Sequence, residues 1–228
     1  MSQFEGAQIP DSSFANDDGV ADTEIRAALE AFVATHEAPE AQRVINALTG
    51  QRLLVPVVAH VDSVDEGVEK DSHMTSVEYI NSDGRKALLA FTGVDSLALW
   101  DPQARPIPRA SHVVAQSVLE ADLEALIIDL HGPHTVVIEG PMLVRLAISA
   151  HHAEYLDAAL EQACDAIEAL DGVISADWET APDEIVIILE IDTPTSSLGP
   201  DIAEILQEPN VAVVLDRPLN VEIRRNSA

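Results

Sequence analysis

Asp129, His131 and His134 stand close together in the sequence, and a carboxylate with two imidazoles is a set of side chains that can hold zinc or iron. They fall at the end of an apolar run, Ala125 to Asp129, and in the turn Leu130-His131-Gly132-Pro133-His134. No spacing marks a fourth ligand, and Gly132-Pro133 is ordinary turn punctuation, so a metal-dependent enzyme is the remotest of the readings. The adjacent His151 and His152 are weaker still, because neighbours on a helix point about 100° apart. Ser111 and His112 are adjacent too, but a nucleophile needs an orienting acid and oxyanion donors as well as a base. There is no Gly-x-Ser-x-Gly elbow, and Ser111 reads as a helix cap. Five carboxylates between 60 and 73 (Asp62, Asp65, Glu66, Glu69 and Asp71) lack the ligand register of a calcium loop. The glycines are scattered, with neither a Walker pattern nor a Gly-x-Gly-x-x-Gly turn, so no phosphate cradle is expected. No cofactor is implied, and the chain is expected not to be an enzyme.

The charge offers more. The 228 residues carry 40 Asp or Glu against 12 Lys or Arg, a formal net charge of -28. Such a field repels phosphate backbones and anionic lipid, which excludes nucleic acid and membrane surfaces as expected partners. It is concentrated late in the chain: Leu146 to Asp216 holds sixteen acidic residues and no Lys or Arg. Within that stretch Leu156, Leu160, Ala163, Ile167 and Leu170 follow helical spacing, and Glu154, Asp157, Glu161, Asp165 and Glu168 form a second stripe about 140° away. A carboxylate stripe opposite a buried one is commonly a solvated face; it is also a geometry that docks a basic protein. Trp178, flanked by Asp177 and Glu179, is a candidate anchor beside it. Strand alternation would instead put Trp178 on the face opposite its acidic neighbours. The lone Cys164 lies beside the apolar stripe among carboxylates, which raise a thiol's pKa and make it inert.

The elements that must position these groups follow from periodicity. Residues 1–20 are polar and rich in Ser, Asp, Gly and Asn, the composition of a disordered acidic tail. Asp22 or Thr23 caps a helix running through Ala34, and Pro39 opens a second that closes at Gly50. Gln51 to Ala59 is a strand in which Pro56 suggests an edge or a bulge. Met74 to Ile80 and Lys86 to Phe91 form a hairpin across a turn containing Asp83-Gly84. The chain is organised around Lys86 to Arg109: a buried strand, a short helix ending at Trp100, and an extended return framed by Pro106 and Pro108. A helix from Ser111, strands Ala125 to Asp129 and Thr135 to Glu139, and a helix opened by Pro141 complete a first domain, 21–150. A second domain, 151–228, reads as αββαββ: the acidic helix, strands Val173 to Glu179 and Glu184 to Asp192, a helix Gly199 to Gln207, then strands Val211 to Leu215 and Asn220 to Arg224. The fold class is α/β or α+β, a mixed sheet flanked by helices plus a smaller α+β domain.

With one cysteine there is no intramolecular disulfide, the N-terminus has no basic segment leading into an apolar one, and no apolar run is long enough to span a bilayer. A cytoplasmic protein is expected.

In LLVPVVA at 53–59, ALLAFTG at 87–93, the helix ending in Trp100, Pro106-Ile107-Pro108, ALIIDLHGP at 125–133 and the Pro141 helix, taken in that order, the chain resembles the SseB family of small bacterial cytosolic proteins. From about 151 it resembles that family's C-terminal domain more loosely. The resemblance implies an α/β N-terminal domain, a small α+β C-terminal domain, no established enzymatic activity and no catalytic residues to carry over. The family's name, enhanced serine sensitivity, implies a link to amino-acid metabolism. The expectations are therefore a non-catalytic protein-interaction or regulatory module using its acidic face; as an alternative, a regulator binding a small molecule such as an amino acid; and, remotely, the metal-dependent enzyme. A homo-oligomer is compatible with each.

Overall fold

The computed structural model describes residues 14, 17–59, 74–76, 78–80, 84–192 and 197–225. The acidic loop expected at 60–73 and most of the expected tail lie outside them. Two compact units divide the chain, residues 1–147 and 148–228. Together they are an α+β fold, helices with mixed sheets.

In the first unit α1 (Thr23–Thr35) starts where Asp22 accepts hydrogen bonds from the Glu24 and Ile25 amides, and ends at His36 in the left-handed conformation (φ 56°). Pro39 sits in the first turn of α2 (Ala38–Leu48), where a missing amide costs nothing. β1 (Arg52–Ala59) lies between β2 (Met74–Ser76) and β5 (Arg105–Ala110), both antiparallel to it. A second sheet has the order β3 (Glu78–Ile80), β4 (Lys86–Ala90), β6 (Ala125–Ile128), β7 (Val136–Glu139). Only β4 and β6 are parallel in it. The crossover between them contains α3 (Val94–Trp100), β5 and α4 (Ser111–Glu120). The two sheets touch where Leu54 and Phe91 exchange backbone hydrogen bonds of 2.8 and 2.9 Å.

β4 and β6 read as unbroken apolar runs because both of their faces are covered. Leu88, Ala90, Leu126 and Ile128 pack under α1, α2, α4 and α5 (Gly140–Ile148). Ala87, Leu89, Phe91, Ala125 and Ile127 join Leu97 of α3 on the other side, with Trp100 against Phe91 at a ring-centroid distance of 5.7 Å.

Three expectations for this unit need correction. Met74 to Ile80 is not one strand: β2 pairs with β1 and β3 pairs with β4, so the chain changes sheets between them. Pro56 is neither on an edge nor at a bulge. Leu54 spends its backbone bonds on Phe91, so the pairs Leu54–Pro108 and Pro56–Pro106 are the non-hydrogen-bonded ones of the β1–β5 ladder. Pro56 then falls between the bridge at Leu54 and the β2 ladder that starts at Val57, where no donor is required. Pro106 and Pro108, two apart, both aim their missing donors at the free side of β5 and blunt that edge. Finally, Ser111 is not a cap. Its hydroxyl is fully buried and donates to the Leu48 carbonyl at 2.6 Å, satisfying the end of α2.

The second unit begins with a 3-10 turn and α6 (His152–Glu168). Its apolar stripe, Leu156, Leu160, Ala163 and Ile167, is buried as the spacing required. β8 (Val173–Thr180) pairs antiparallel with β9 (Ile185–Ile191), and α7 (Leu198–Leu206) follows. The strand expected at Val211 to Leu215 is absent. Pro209 opens a short helix instead, α8 (Pro209–Ala212), and the buried residues there are Val211 and Val214, three apart rather than alternating. β10 (Leu219–Arg225) runs parallel to β9 on the side away from β8. The order is αββααβ with a three-stranded sheet, a correction to αββαββ.

Candidate functional site

The carboxyl ends of the parallel strands β4 and β6 converge on Thr92 and Asp129. Crevices beyond the carboxyl ends of strands are where open α/β sheets take their ligands. Thr92 is fully buried, and Asp129 is 3 % exposed with a left-handed backbone (φ 53°) that aspartate tolerates. The Thr92 amide donates to Asp129 Oδ1 at 2.8 Å and the Thr92 hydroxyl to Oδ2 at 2.6 Å. The Thr92 carbonyl in turn accepts from Arg52, which also grips Asp17 (2.6 and 3.1 Å) and the Val20 carbonyl (2.7 Å). One buried threonine thus ties β4 to β6, to β1 and to the segment leading into α1. Gly132 completes the turn after β6: a Cβ there would come within 2.8 Å of the Asp129 carbonyl oxygen.

Over this clasp lies a cleft of about 410 Å³, within the size range of small-molecule sites. α1 contributes Arg26 and Glu30, α3 contributes Asp95 and Ser96, and His134 closes it from the turn after β6. Arg26 donates through Nη2 to Asp95 (2.5 Å) and Ser96 (3.2 Å). That hydrogen bond holds the Arg26 guanidinium above, and the Asp95 carboxyl below, their ordinary pKa values. Nε and Nη1 of Arg26 make no hydrogen bond among the described residues. The guanidinium is half-buried, and Glu30 is exposed beside it. Asp129 titrates above the usual carboxylate range: burial raises it, and the Thr92 hydrogen bonds, the Arg26 charge and a Ser96 hydrogen bond only partly offset this. Chemically, the cleft offers a cation with open donors and two carboxylates at its mouth, above a buried acid.

Of the three residues read as a metal site, Asp129 and His134 line the same cleft. Asp129 is occupied by Thr92, and His131 is exposed at a left-handed position (φ 66°). Among the described residues no group of three or more His, Cys, Asp or Glu side chains is arranged to hold an ion. Arg26, Ser96 and Thr92 were not singled out from sequence. The Thr92-Gly93 end of β4 and the Asp129 end of β6 were legible as strand ends, but their pairing depends on the parallel register of β4 with β6.

In the second unit Glu154, Asp157, Glu161, Asp165 and Glu168 are all exposed. Glu168 also serves the fold, accepting from the Ala176 amide at 2.9 Å. Trp178 is half-buried against both apolar clusters of the unit, while Asp177 and Glu179 face solvent. Cys164 is buried, and burial with the charges of Asp177, Glu168 and Asp165 pushes its thiol up to about 11.

A parallel strand pair with helices on both faces and a cleft at its carboxyl end defines the class: an α+β protein with a cleft in its N-terminal unit. The SseB protein N-terminal domain model matches residues 25–145, just over half of the chain and most of that unit, and the chain belongs to the SseB family. No curated protein matches it. No helix among the described residues is long and apolar enough to cross a membrane.

Proposed function

We propose that this SseB-family chain is a non-catalytic cytoplasmic regulator that binds a small polar molecule in the cleft of its first unit, with amino acids the leading ligand class. The observation that carries the reading is Arg26: held in place by Asp95 and Ser96, it keeps Nε and Nη1 for a carboxylate, while Glu30 and Asp95 suit an ammonium group. The seat beneath is rigid, because both oxygens of Asp129 are engaged. A thermal-shift and calorimetry panel of amino acids and small carboxylates at millimolar concentration tests it. A ligand at one hundred times its Kd stabilises the native state by about 2.7 kcal/mol, and Arg26→Met is expected to abolish that gain with little change in the unliganded Tm. A panel in which nothing stabilises the wild type would end the proposal.

A second reading rests on a different observation, the run of exposed carboxylates along α6. That face suits a basic protein partner. Complexes recovered from the native cytosol are then expected to weaken steeply between low and high salt. Neutralising Glu154, Asp157, Glu161 and Asp165 together, with Glu168 kept for its bond to Ala176, is expected to remove the salt dependence. A complex of unchanged affinity in that variant would exclude the face.

A further inference from the structure

The sheet of the second unit has two edges, and they differ. On β8 the register is irregular between Val173 and Ser175, and Asp177 and Glu179 put two like charges on its exposed face. Both devices discourage a further strand. β10 has neither: it pairs with β9 over seven consecutive residues without a bulge or a proline.

The direction of its free backbone groups is fixed by one bond. Ile185 lies opposite Leu219, and its amide donates to the Pro218 carbonyl at 2.9 Å. In a parallel ladder a residue bonds to the neighbours of the residue it faces, so the even-numbered residues of β10 turn their backbone to β9. Leu219, Val221 and Ile223 turn theirs to the open edge. Val221 and Ile223 stand beside Ile187 and Leu189, on the face where those two are in the core, yet they are 39 % and 52 % exposed. On the other face Glu222 and Arg224 are exposed and linked at 3.0 Å. Among the described residues the edge therefore presents unused donors and acceptors and two uncovered apolar side chains, with one charge of each sign on the opposite face.

A second copy of the chain complements this pattern. Two β10 strands paired antiparallel about a two-fold axis must match outward residues with outward residues, so the axis passes through a single residue position. An axis at 222 or 224 sets Glu222 against Glu222, or Arg224 against Arg224, and like charges directly opposite are destabilising. An axis at 221 sets Glu222 opposite Asn220. An axis at 223 sets Glu222 of each copy opposite Arg224 of the other, twice by symmetry, and brings the two Ile223 side chains together. We propose that the chain self-associates through β10 with its two-fold axis at Ile223, joining two three-stranded sheets into one.

Sedimentation velocity of the full chain tests this at about 0.15 M salt, where the Debye length is about 8 Å and the overall negative charge is largely screened. The wild type is expected to dimerise reversibly. Glu222→Arg alone and Arg224→Glu alone each create two like-charge contacts, and each is expected to weaken the dimer roughly tenfold. The double variant Glu222→Arg with Arg224→Glu restores both pairs and is expected to recover it. All three changes are at exposed positions, and circular dichroism establishes that the fold is kept. A wild type that stays monomeric at the highest attainable concentration overturns the proposal. So does a dimer indifferent to the single changes, or one that the double change fails to recover.

Discussion

Asp129→Ala is expected to cost about 3–8 kcal/mol of stability, measured by urea unfolding. Two donors, the amide and the hydroxyl of the fully buried Thr92, lose their acceptor at once. Each buried donor left unsatisfied costs about 1–3 kcal/mol, and alanine in a left-handed conformation adds about 1–2 kcal/mol. Asp129→Asn keeps an acceptor for the Thr92 amide and tolerates the same backbone, so it is expected to lose much less. The pair also separates shape from charge. The folded pKa of Asp129 is raised, chiefly by burial. Its contribution is therefore fully present below the unfolded value of about 3.9 and is lost as pH rises through the higher folded value. Asparagine cannot ionise, so the stability gap between wild type and Asp129→Asn is expected to narrow from acid towards neutral pH. Parallel stability curves for the two proteins would show that Asp129 is not desolvated as the structure has it.

Phe91→Ala is the second large effect, about 3–5 kcal/mol, the range for emptying a buried aromatic site. Phe91 is fully buried, fills the face of β4 turned away from the long helices, and stacks on Trp100. Its backbone also makes the only bridge between the two sheets of the first unit found among the described residues, and alanine keeps that bridge. The loss is thus one of packing, and the m-value of urea unfolding should stay unchanged. Trp100 fluorescence gives an independent readout: its emission should shift to the red as water enters the space. Phe91→Leu is expected to recover most of the stability. A loss below about 1 kcal/mol in Phe91→Ala would mean that the neighbours collapse into the site.

These two residues mark where sequence reasoning reached and where it stopped. The run Ala87 to Phe91 announced a buried strand. Asp22, Pro39 and Gly50 announced the first two helices, because capping and proline geometry act within a turn. Pro106 and Pro108 announced an extended segment for the same reason. Their order along the chain was sufficient to identify the family, as the match over 25–145 shows. Asp129 was singled out for the histidines beside it in sequence, while its hydrogen-bond partner in space, Thr92, was not paired with it.

What the sequence determined by itself is local: helix starts, proline-framed strands, the apolar stripe of α6 and the concentration of negative charge beyond Leu146. Each rests on a preference that a few adjacent residues settle between themselves. Only the tertiary structure decided that β4 and β6 run parallel, so that Thr92 meets Asp129, and that Arg26 of α1 reaches Asp95 of α3. It also decided that the Ser111 hydroxyl closes α2 rather than capping α4, and that Val211 and Val214 bury together on a helical turn. In each of these a polar or apolar group is met by a partner far along the chain. Local propensity carries no term for that partner.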